Sequence, residues 1–216
     1  MKRFFLILLN FLVISAVTAQ TDQKAKELLE QTSKKMQSFQ SLSANFSFTM
    51  ENKKMNIREQ NSGSLLLKGE KYHVILPDLG MQVFSDGATV WNFMESAGQV
   101  MVSNVGDDSQ GVIDPSSIFN VYKEGYNFKF VEEKSENGKV INYIDLIPSD
   151  RNAEFTKIAV GIDKAALMVH SLVTHGKDGN LYGIYVRDFK TNQSIPDSEF
   201  VFDRKKHANV EWIDFR

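Results

Sequence analysis

Histidine and cysteine are the side chains that most often hold a metal ion, and this chain contains few of them. It has four histidines, His73, His170, His175 and His207, and no cysteine. None of the histidines has the His-x-His or His-x-x-x-His spacing that brings two imidazoles to one ion. We therefore expect no metal site and no thiolate chemistry, and we interpret the histidines as strand or turn residues with ordinary hydrogen bonds.

Motifs for nucleophilic catalysis and for phosphate binding are also missing. The sequence has no Gly-x-Ser-x-Gly elbow, no P-loop and no dinucleotide-binding fingerprint. Asp107, Asp108 and Asp114 lack the alternating spacing of a calcium-binding EF-hand loop, so they indicate a solvated acidic loop. A carboxylate pair for glycoside hydrolysis stays open, because strand residues distant in sequence can meet in a fold. We predict a protein that is not an enzyme and needs no cofactor.

Residues 1–19 have the three parts of a secretory signal. Met1-Lys2-Arg3 precedes the apolar run FFLILLNFLVISAV, and the small residues Val17-Thr18-Ala19 follow it. The run is short for a membrane span, so we expect cleavage after Ala19, export to the periplasm and a soluble mature chain. The remaining residues, 20–216, are enough for one domain with a hydrophobic core. The formal net charge is −2, and the charged residues form no long runs of one sign. Both observations argue against nucleic-acid binding.

One amphipathic helix and a series of strands are predicted to position any binding site. From Thr21 to about Leu42 apolar residues recur every three or four positions, which is typical of a helix with one buried side. The period then changes to two, so Phe46 and Phe48 belong to the apolar side of a strand. Similar runs continue to the C-terminus, the last two at Glu199–Phe202 and Val210–Ile213.

Turn residues separate these runs. Asp86-Gly87, Asn137-Gly138 and Asp178-Gly179 are Asx-Gly pairs, which supply the positive φ angles of tight hairpins. No helical period comes between most of the runs, so we predict a mainly β fold in which an antiparallel sheet curls to limit open edges.

A second, short helix is predicted near the middle of the chain. Asp114-Pro115-Ser116-Ser117 is typical of a helix start, and Ile118 and Phe119 would form its apolar side. The chain also contains 16 Phe, 6 Tyr and 2 Trp. These rings either fill the core or line a cavity inside a curled sheet, and pattern alone leaves both open.

The order of these segments resembles a known family, the LolA-like periplasmic lipoprotein carriers. The N-terminal helix leads into SLSANFSFTM, and GSLLLKGEKYHVIL is similar to a family strand of the form G-x-L-x-x-K followed by an aromatic strand. VFSDGATVWNF resembles the V-S-D-G-x-x-x-W-x-Y hairpin, the most specific of these elements. DPSSIF stands where the family has a lid helix, YIDLIP resembles F-x-L-x-P, and FVFDRKKHANVEW resembles the closing strand.

The resemblance implies an incomplete antiparallel β-barrel, with an N-terminal helix and a short lid helix over an apolar cavity. In the family that cavity holds the acyl chains of lipoproteins, which pass from an inner-membrane ABC transporter to an outer-membrane acceptor without chemistry or cofactor. One departure concerns the lid. Where members have Lys-Arg-Pro, with an arginine tied to lid closure, this chain has Lys68-Gly69-Glu70-Lys71. A lid latch of the arginine type is therefore not expected here.

From the alternation and the resemblance together we predict that apolar side chains of the helices and the sheet line the cavity. The predicted lining residues are Leu28, Leu29, Met36, Ile118 and Phe119 from the helices, and Phe46, Phe48, Tyr72, Val74, Leu76, Val83, Trp91 and Phe93 from the sheet. We expect acylated lipoproteins as ligands and a monomer as the working form. Another exported lipid- or glycolipid-binding module on the same fold is the first alternative, and an all-β hydrolase is the second. A structural interaction protein with a filled core is the third.

Overall fold

A computed structural model describes residues 22–106 and 125–216 of the chain. Its first element is a helix, α1, at residues 22–37. The buried side chains of α1 are Ala25, Leu29, Thr32 and Met36. These positions are four, three and four residues apart, so they form one stripe along the helix. The predicted N-terminal amphipathic helix is confirmed. Within the described ranges, no helix has both the length and the apolar character needed to cross a bilayer.

The rest of the described chain is dominated by twelve strands. Their bounds are β1 Leu42–Asn52, β2 Ile57–Lys68, β3 Lys71–Leu76, β4 Met81–Ser85, β5 Thr89–Met94, β6 Gln99–Asn104, β7 Tyr126–Glu136, β8 Lys139–Pro148, β9 Phe155–Asp163, β10 Met168–Gly176, β11 Leu181–Thr191 and β12 Glu211–Asp214. Two short 3-10 turns lie at Pro77–Leu79 and Asp197–Phe200.

The twelve strands form one open sheet in the order β12-β6-β5-β4-β3-β2-β1-β11-β10-β9-β8-β7. The chain therefore places β1 near the middle, builds one side from β2–β6 and the other from β7–β11, and returns with β12 to the edge beside β6. Both edge strands, β12 and β7, have a neighbour on one side only, so the sheet does not close into a barrel. The mainly β, incomplete-barrel fold predicted from the sequence is confirmed.

The last part of the chain differs from the predicted meander in two ways. Glu199–Phe202 is not a strand, because a 3-10 turn at Asp197–Phe200 follows Pro196 and buries Phe200 completely. The final strand, β12, pairs with β6 in parallel, whereas every other pair in the sheet is antiparallel. A parallel partner requires a long connection. Residues 192–210 supply it by crossing the sheet.

The predicted hairpin turns have the expected chemistry. Gly87 has a φ of 94°, and the Asp86 carboxylate accepts hydrogen bonds from the backbone N–H groups of Ala88 and Thr89 at 2.9 and 2.8 Å. Asn137 and Gly138 both have positive φ angles, 49° and 79°, which is the type I′ pattern of a two-residue hairpin. These local signals fix which strands become neighbours.

The sheet has two differently covered sides. We call the side under α1 the helix face; it carries Val74, Val83 and Ile144. We call the opposite side the outer face; it carries Phe84, Trp91 and Val100, which residues 197–212 partly cover. The predicted lid helix around Ile118 and Phe119 lies outside the described residues.

Residues 38–41 join α1 directly to β1, in the middle of the sheet. This connection is held to the far end of β11: Gln40 N donates to the Asn192 side chain, and Asn192 N donates to the Ser41 carbonyl, both at 2.9 Å. Asn192 adopts a φ of 56°, which asparagine tolerates better than most residues. The C-terminal end of α1 is therefore fixed at the sheet centre.

Candidate functional site

The helix face is built from two clusters of buried apolar side chains. The first joins Ala25 and Leu29 of α1 to β8 and β9, through Ile144, Leu146, Val160 and Ile162. The second joins Met36 to β1–β4 and to the start of β10. Leu172 on β10 packs against both clusters, so the two form one continuous surface under α1.

Most of the side chains predicted to line a cavity meet on this face. Leu29 is a buried member of the first cluster, and Leu28 packs against it. The second cluster contains the predicted residues Met36, Phe46, Tyr72, Val74, Leu76 and Val83, and Phe48 packs against it. Ile118 and Phe119 belong to the part of the chain that is not described, so their place in the site stays a prediction.

Trp91 and Phe93 lie on the outer face, so the expectation that they share a face with Val83 is wrong. The β4–β5 hairpin pairs Phe84 with Trp91 and Val83 with Asn92. Directly paired residues of antiparallel strands point to the same side. Trp91 and Phe93 accordingly pack with Phe84 and Phe202 in a third cluster. The position of the turn at Gly87-Ala88 is the feature of the sequence that could have shown this. It determines that Phe84 pairs with Trp91, and therefore that the two residues lie on the same side.

The other half of the face was missed by the sequence-based prediction. Ile144, Leu146, Val160 and Ile162 are all nearly inaccessible to solvent and pack under Ala25 and Leu29. Their alternation along β8 and β9 is visible in the sequence, at steps of two residues. Alternation alone does not tell which strands α1 covers, since that depends on β11 crossing back to pair with β1.

Gly63 makes room for the Phe46 ring of the second cluster. A Cβ atom at this position would lie 2.5 Å from Cζ of Phe46 and 2.8 Å from Cδ2 of Leu76. Gly63 is the direct partner of Phe46 across β1 and β2. The Phe46 ring and the Leu76 side chain therefore both occupy the space over the glycine, where a side chain would otherwise stand.

A groove of about 220 Å³ opens beside the last turn of α1. Its apolar lining comes from Phe39, Met168, Val169, Val186 and Phe189, which all belong to or pack against the second cluster. Lys35 and the ion pair of Lys139 with Asp163, at 3.3 Å, lie at its border. Pockets for drug-sized ligands measure roughly 300–1,000 Å³. The groove as it stands holds only part of such a ligand.

Lys68 and Lys71 lie where members of the family have the latch arginine, which this chain lacks. The two lysines bind the segment around Asp197. Lys68 and Lys71 donate to the two carboxylate oxygens of Asp197 at 2.8 and 2.7 Å, and Lys68 also donates to the Ile195 carbonyl at 3.0 Å. These hydrogen bonds lower the pKa of Asp197 to about 2. The lysines thereby fasten the segment that covers the outer face.

One buried histidine lies beneath that segment. His73 stacks on Phe84, with ring centroids 4.0 Å apart, and its Nε2 lies 3.0 Å from the Gln82 side-chain oxygen. Burial lowers the pKa of His73, and the hydrogen bond to Gln82 and the charge of Glu199 oppose this only in part. Among the described residues no group of three or more His, Asp or Glu side chains is arranged to hold a metal ion.

These observations define a class of protein: in the described residues, a mainly β fold in which one open sheet carries helix α1 on an apolar face. The family model described as outer membrane lipoprotein carrier protein LolA matches residues 37–203. The chain belongs to this family. The resemblance seen in the order of its sequence segments is thus confirmed. No curated protein matches the chain.

Solved structures with the same fold include an uncharacterized conserved protein from Thermus thermophilus, 12% identical, with a TM-score of 0.59 over 88% of this chain and 99% of the other. A DUF1329 family protein from Desulfovibrio piger is 10% identical, with a TM-score of 0.50 over 84% and 97%. A LolA superfamily protein from Nitrosomonas europaea is 13% identical, with a TM-score of 0.46 over 82% and 97%. At these identities the similarity concerns the fold alone.

Proposed function

We propose that this protein is an exported carrier that shelters the acyl chains of lipoproteins between α1 and the helix face. The observation that supports this most directly is a continuous, mainly aliphatic face that runs from β8 and β9 across to β3 and β4 and lies under α1. The membership of the chain in a family described by lipoprotein carriage agrees with it. The carrier binds and releases its ligand without catalysing a reaction.

The free energies of burial favour replacement of the inward side chains of α1 by an acyl chain. Burying a side chain such as Leu29 or Met36 contributes about 2 kcal/mol, and Ala25 contributes less. A long acyl chain gains roughly 10 kcal/mol when it leaves water, at about 0.8 kcal/mol per CH₂ group. The ligand therefore gains enough to displace the inward side chains of α1 and to take their place on the face.

The proposal includes the route of the cargo. The signal-like residues 1–19 direct the chain to the periplasm, where it receives lipoproteins from an inner-membrane ABC transporter and delivers them to an outer-membrane acceptor. A monomer is sufficient for this role, because one helix face accommodates one ligand.

Native mass spectrometry of the mature protein with a triacylated lipopeptide tests the proposal. We expect a one-to-one complex that Phe48→Asp abolishes, since Phe48 and its partner Ile184 lie on the helix face. Tyr185→Asp is the matched control. Tyr185 pairs with Ser47 on the outer face one position away and is 41% exposed, so this variant should bind like the wild type.

Circular dichroism of both variants establishes that they are folded. A folded Phe48→Asp protein with undiminished lipopeptide binding contradicts the assignment of the face. A wild-type protein that takes up no lipopeptide contradicts the carrier function. Uptake of phospholipid in its place would support the more general lipid-binding module.

A further inference from the structure

Two buried polar side chains interrupt the apolar contact between α1 and the sheet. Thr32 is 4% exposed and Asn142 is 1% exposed. Within residues 22–106 and 125–216, Thr32 Oγ1 and Asn142 Oδ1 have no hydrogen-bond partner. Buried polar side-chain atoms nearly always have one, because they lose their water on burial. These two atoms therefore need an explanation.

Both side chains belong to the same part of the helix face. Thr32 lies on the buried stripe of α1 between Leu29 of the first cluster and Met36 of the second. Asn142 precedes Ile144 by two residues on β8, and it pairs directly with Ile162 on β9. Leu29, Ile144 and Ile162 form one cluster. Thr32 and Asn142 therefore face the layer where α1 covers β8 and β9.

The groove beside α1 leads to this layer. Lys35, which borders the groove, is three residues after Thr32 on the helix, and Asp163 at the same border pairs with Ile141, the residue before Asn142. Along β10 and β11 the groove has both apolar and polar lining residues, and the apolar ones belong to or pack against the second cluster. That cluster also contains Met36, one helical turn after Thr32, so a hydrocarbon chain that follows the apolar residues comes close to the two polar side chains.

We infer that Thr32 and Asn142 hold the amide or ester group that joins an acyl chain to the rest of a ligand. This inference rests on the proposed function and names the part of the ligand that the site recognises. An N-acyl amide carries an N–H donor for the Asn142 side-chain oxygen and a carbonyl oxygen that accepts from the Thr32 hydroxyl. An ester supplies the carbonyl oxygen alone. A plain alkyl chain supplies neither group.

Two matched peptides separate recognition of this group from recognition of the chain. One carries an N-palmitoyl amide, and the other has the same sequence with a hexadecyl thioether in its place. We expect the wild type to bind the palmitoyl peptide several times more tightly. Thr32→Val and Asn142→Leu should each weaken binding of the palmitoyl peptide by about fivefold, the worth of roughly one hydrogen bond, and leave thioether-peptide binding unchanged.

Thr49→Val is the control variant, because Thr49 lies on β1 two residues after Ser47 and therefore on the outer face, away from α1. It should change neither affinity. Urea unfolding without ligand supplies a second readout. Thr32→Val should be at least as stable as the wild type, because it removes a buried hydroxyl that has no partner.

The outcomes separate the inference from the function on which it rests. A wild type that binds neither peptide contradicts the carrier function itself. Equal affinity for the two peptides, or variants that keep the wild-type preference, overturns the role of Thr32 and Asn142. A Thr32→Val protein that is less stable without ligand and binds normally shows that the hydroxyl serves the fold, and this also overturns the inference.

Discussion

The two faces of the sheet are covered in different ways. The helix face is mainly aliphatic, and among the described elements α1 covers it with four inward side chains, one of them Thr32. The outer face is aromatic: Phe202 contacts Phe84 and Phe93 with ring centroids 5.8 and 5.3 Å apart. The segment that covers the outer face is also fastened by two lysines on Asp197.

This difference indicates different roles for the two faces. Aromatic pairs add specific geometry to apolar burial, so the outer face has a preferred arrangement that resists exchange. Aliphatic side chains impose little direction, and an acyl chain of the same chemistry can replace them. Under the proposed function, the outer face stabilises the fold and the helix face takes a cover that a ligand can replace. The predictions below test this division, from the largest expected effect to the smallest.

Phe200→Ala should be the most destabilising change, by about 3–5 kcal/mol in the free energy of unfolding, because it leaves a cavity under a fully buried ring. Urea denaturation measures the effect. Val201→Ala is the control: Val201 is the next residue, is 41% exposed and should change the free energy by no more than about 0.5 kcal/mol. At urea concentrations too low to unfold it, the Phe200→Ala protein should bind a lipopeptide like the wild type. Lost binding in a folded protein would break the division between the faces.

Gly63→Ala should destabilise the protein by about 1–3 kcal/mol, because the added methyl group overlaps the Phe46 ring and overpacks the second cluster. Ser64→Ala changes the neighbouring residue, which points to the other side, and should have a small effect. Thermal unfolding compares the two variants. If Gly63→Ala is as stable as Ser64→Ala, the Phe46 ring moves aside easily. The packing of the helix face is then looser than the close approach of Phe46 to Gly63 indicates.

Acid should weaken the outer face through His73. Its pKa is lowered by burial in the folded state, so the unfolded chain binds a proton first as pH falls. The stability that depends on neutral His73 is fully present above pH 6.5, near the pKa of histidine in the unfolded chain. Below that pH the free energy of unfolding decreases by at most about 1.4 kcal/mol per pH unit. Urea denaturation between pH 7.5 and 5.5 should show this slope.

His73→Phe should reduce that slope, because phenylalanine keeps a ring on Phe84 and cannot take up a proton. A residual slope is expected from His175, whose pKa burial also lowers. If the free energy of unfolding of His73→Phe depends on pH as steeply as that of the wild type, His73 is not the group through which acid weakens the outer face.

Features with a local cause could be predicted from the sequence. The stripe Ala25, Leu29 and Met36 has helical spacing, and Asp86-Gly87 and Asn137-Gly138 carry the chemistry of tight turns. These signals were enough to give α1, the hairpins and most of the helix face in β1–β4. Family membership could be predicted as well, because the order of the segments survives where single residues vary.

Features that depend on distant pairing could not be predicted as well. The side on which Trp91 and Phe93 lie follows from the register of one hairpin, and a slip of one residue reverses every side chain. Glu199–Phe202 was expected to be a strand because it is a short, strand-like run. In the structure a 3-10 turn at Asp197–Phe200, which contacts β3 and β4, stands there instead. The place of β8 and β9 under α1 depends on β11 pairing with β1.

The short connection at residues 38–41 has a consequence for every affinity measured on the helix face. Because one end of α1 is tied to the centre of the sheet, the inward side chains of α1 compete for that face at an effective concentration in the millimolar range or above. Under the proposed function, an acyl ligand competes with these side chains, so its observed affinity equals its intrinsic affinity multiplied by the fraction of time that the face is uncovered. The same side chains would cover the face again when the ligand leaves, and would shield it from water until the next ligand binds.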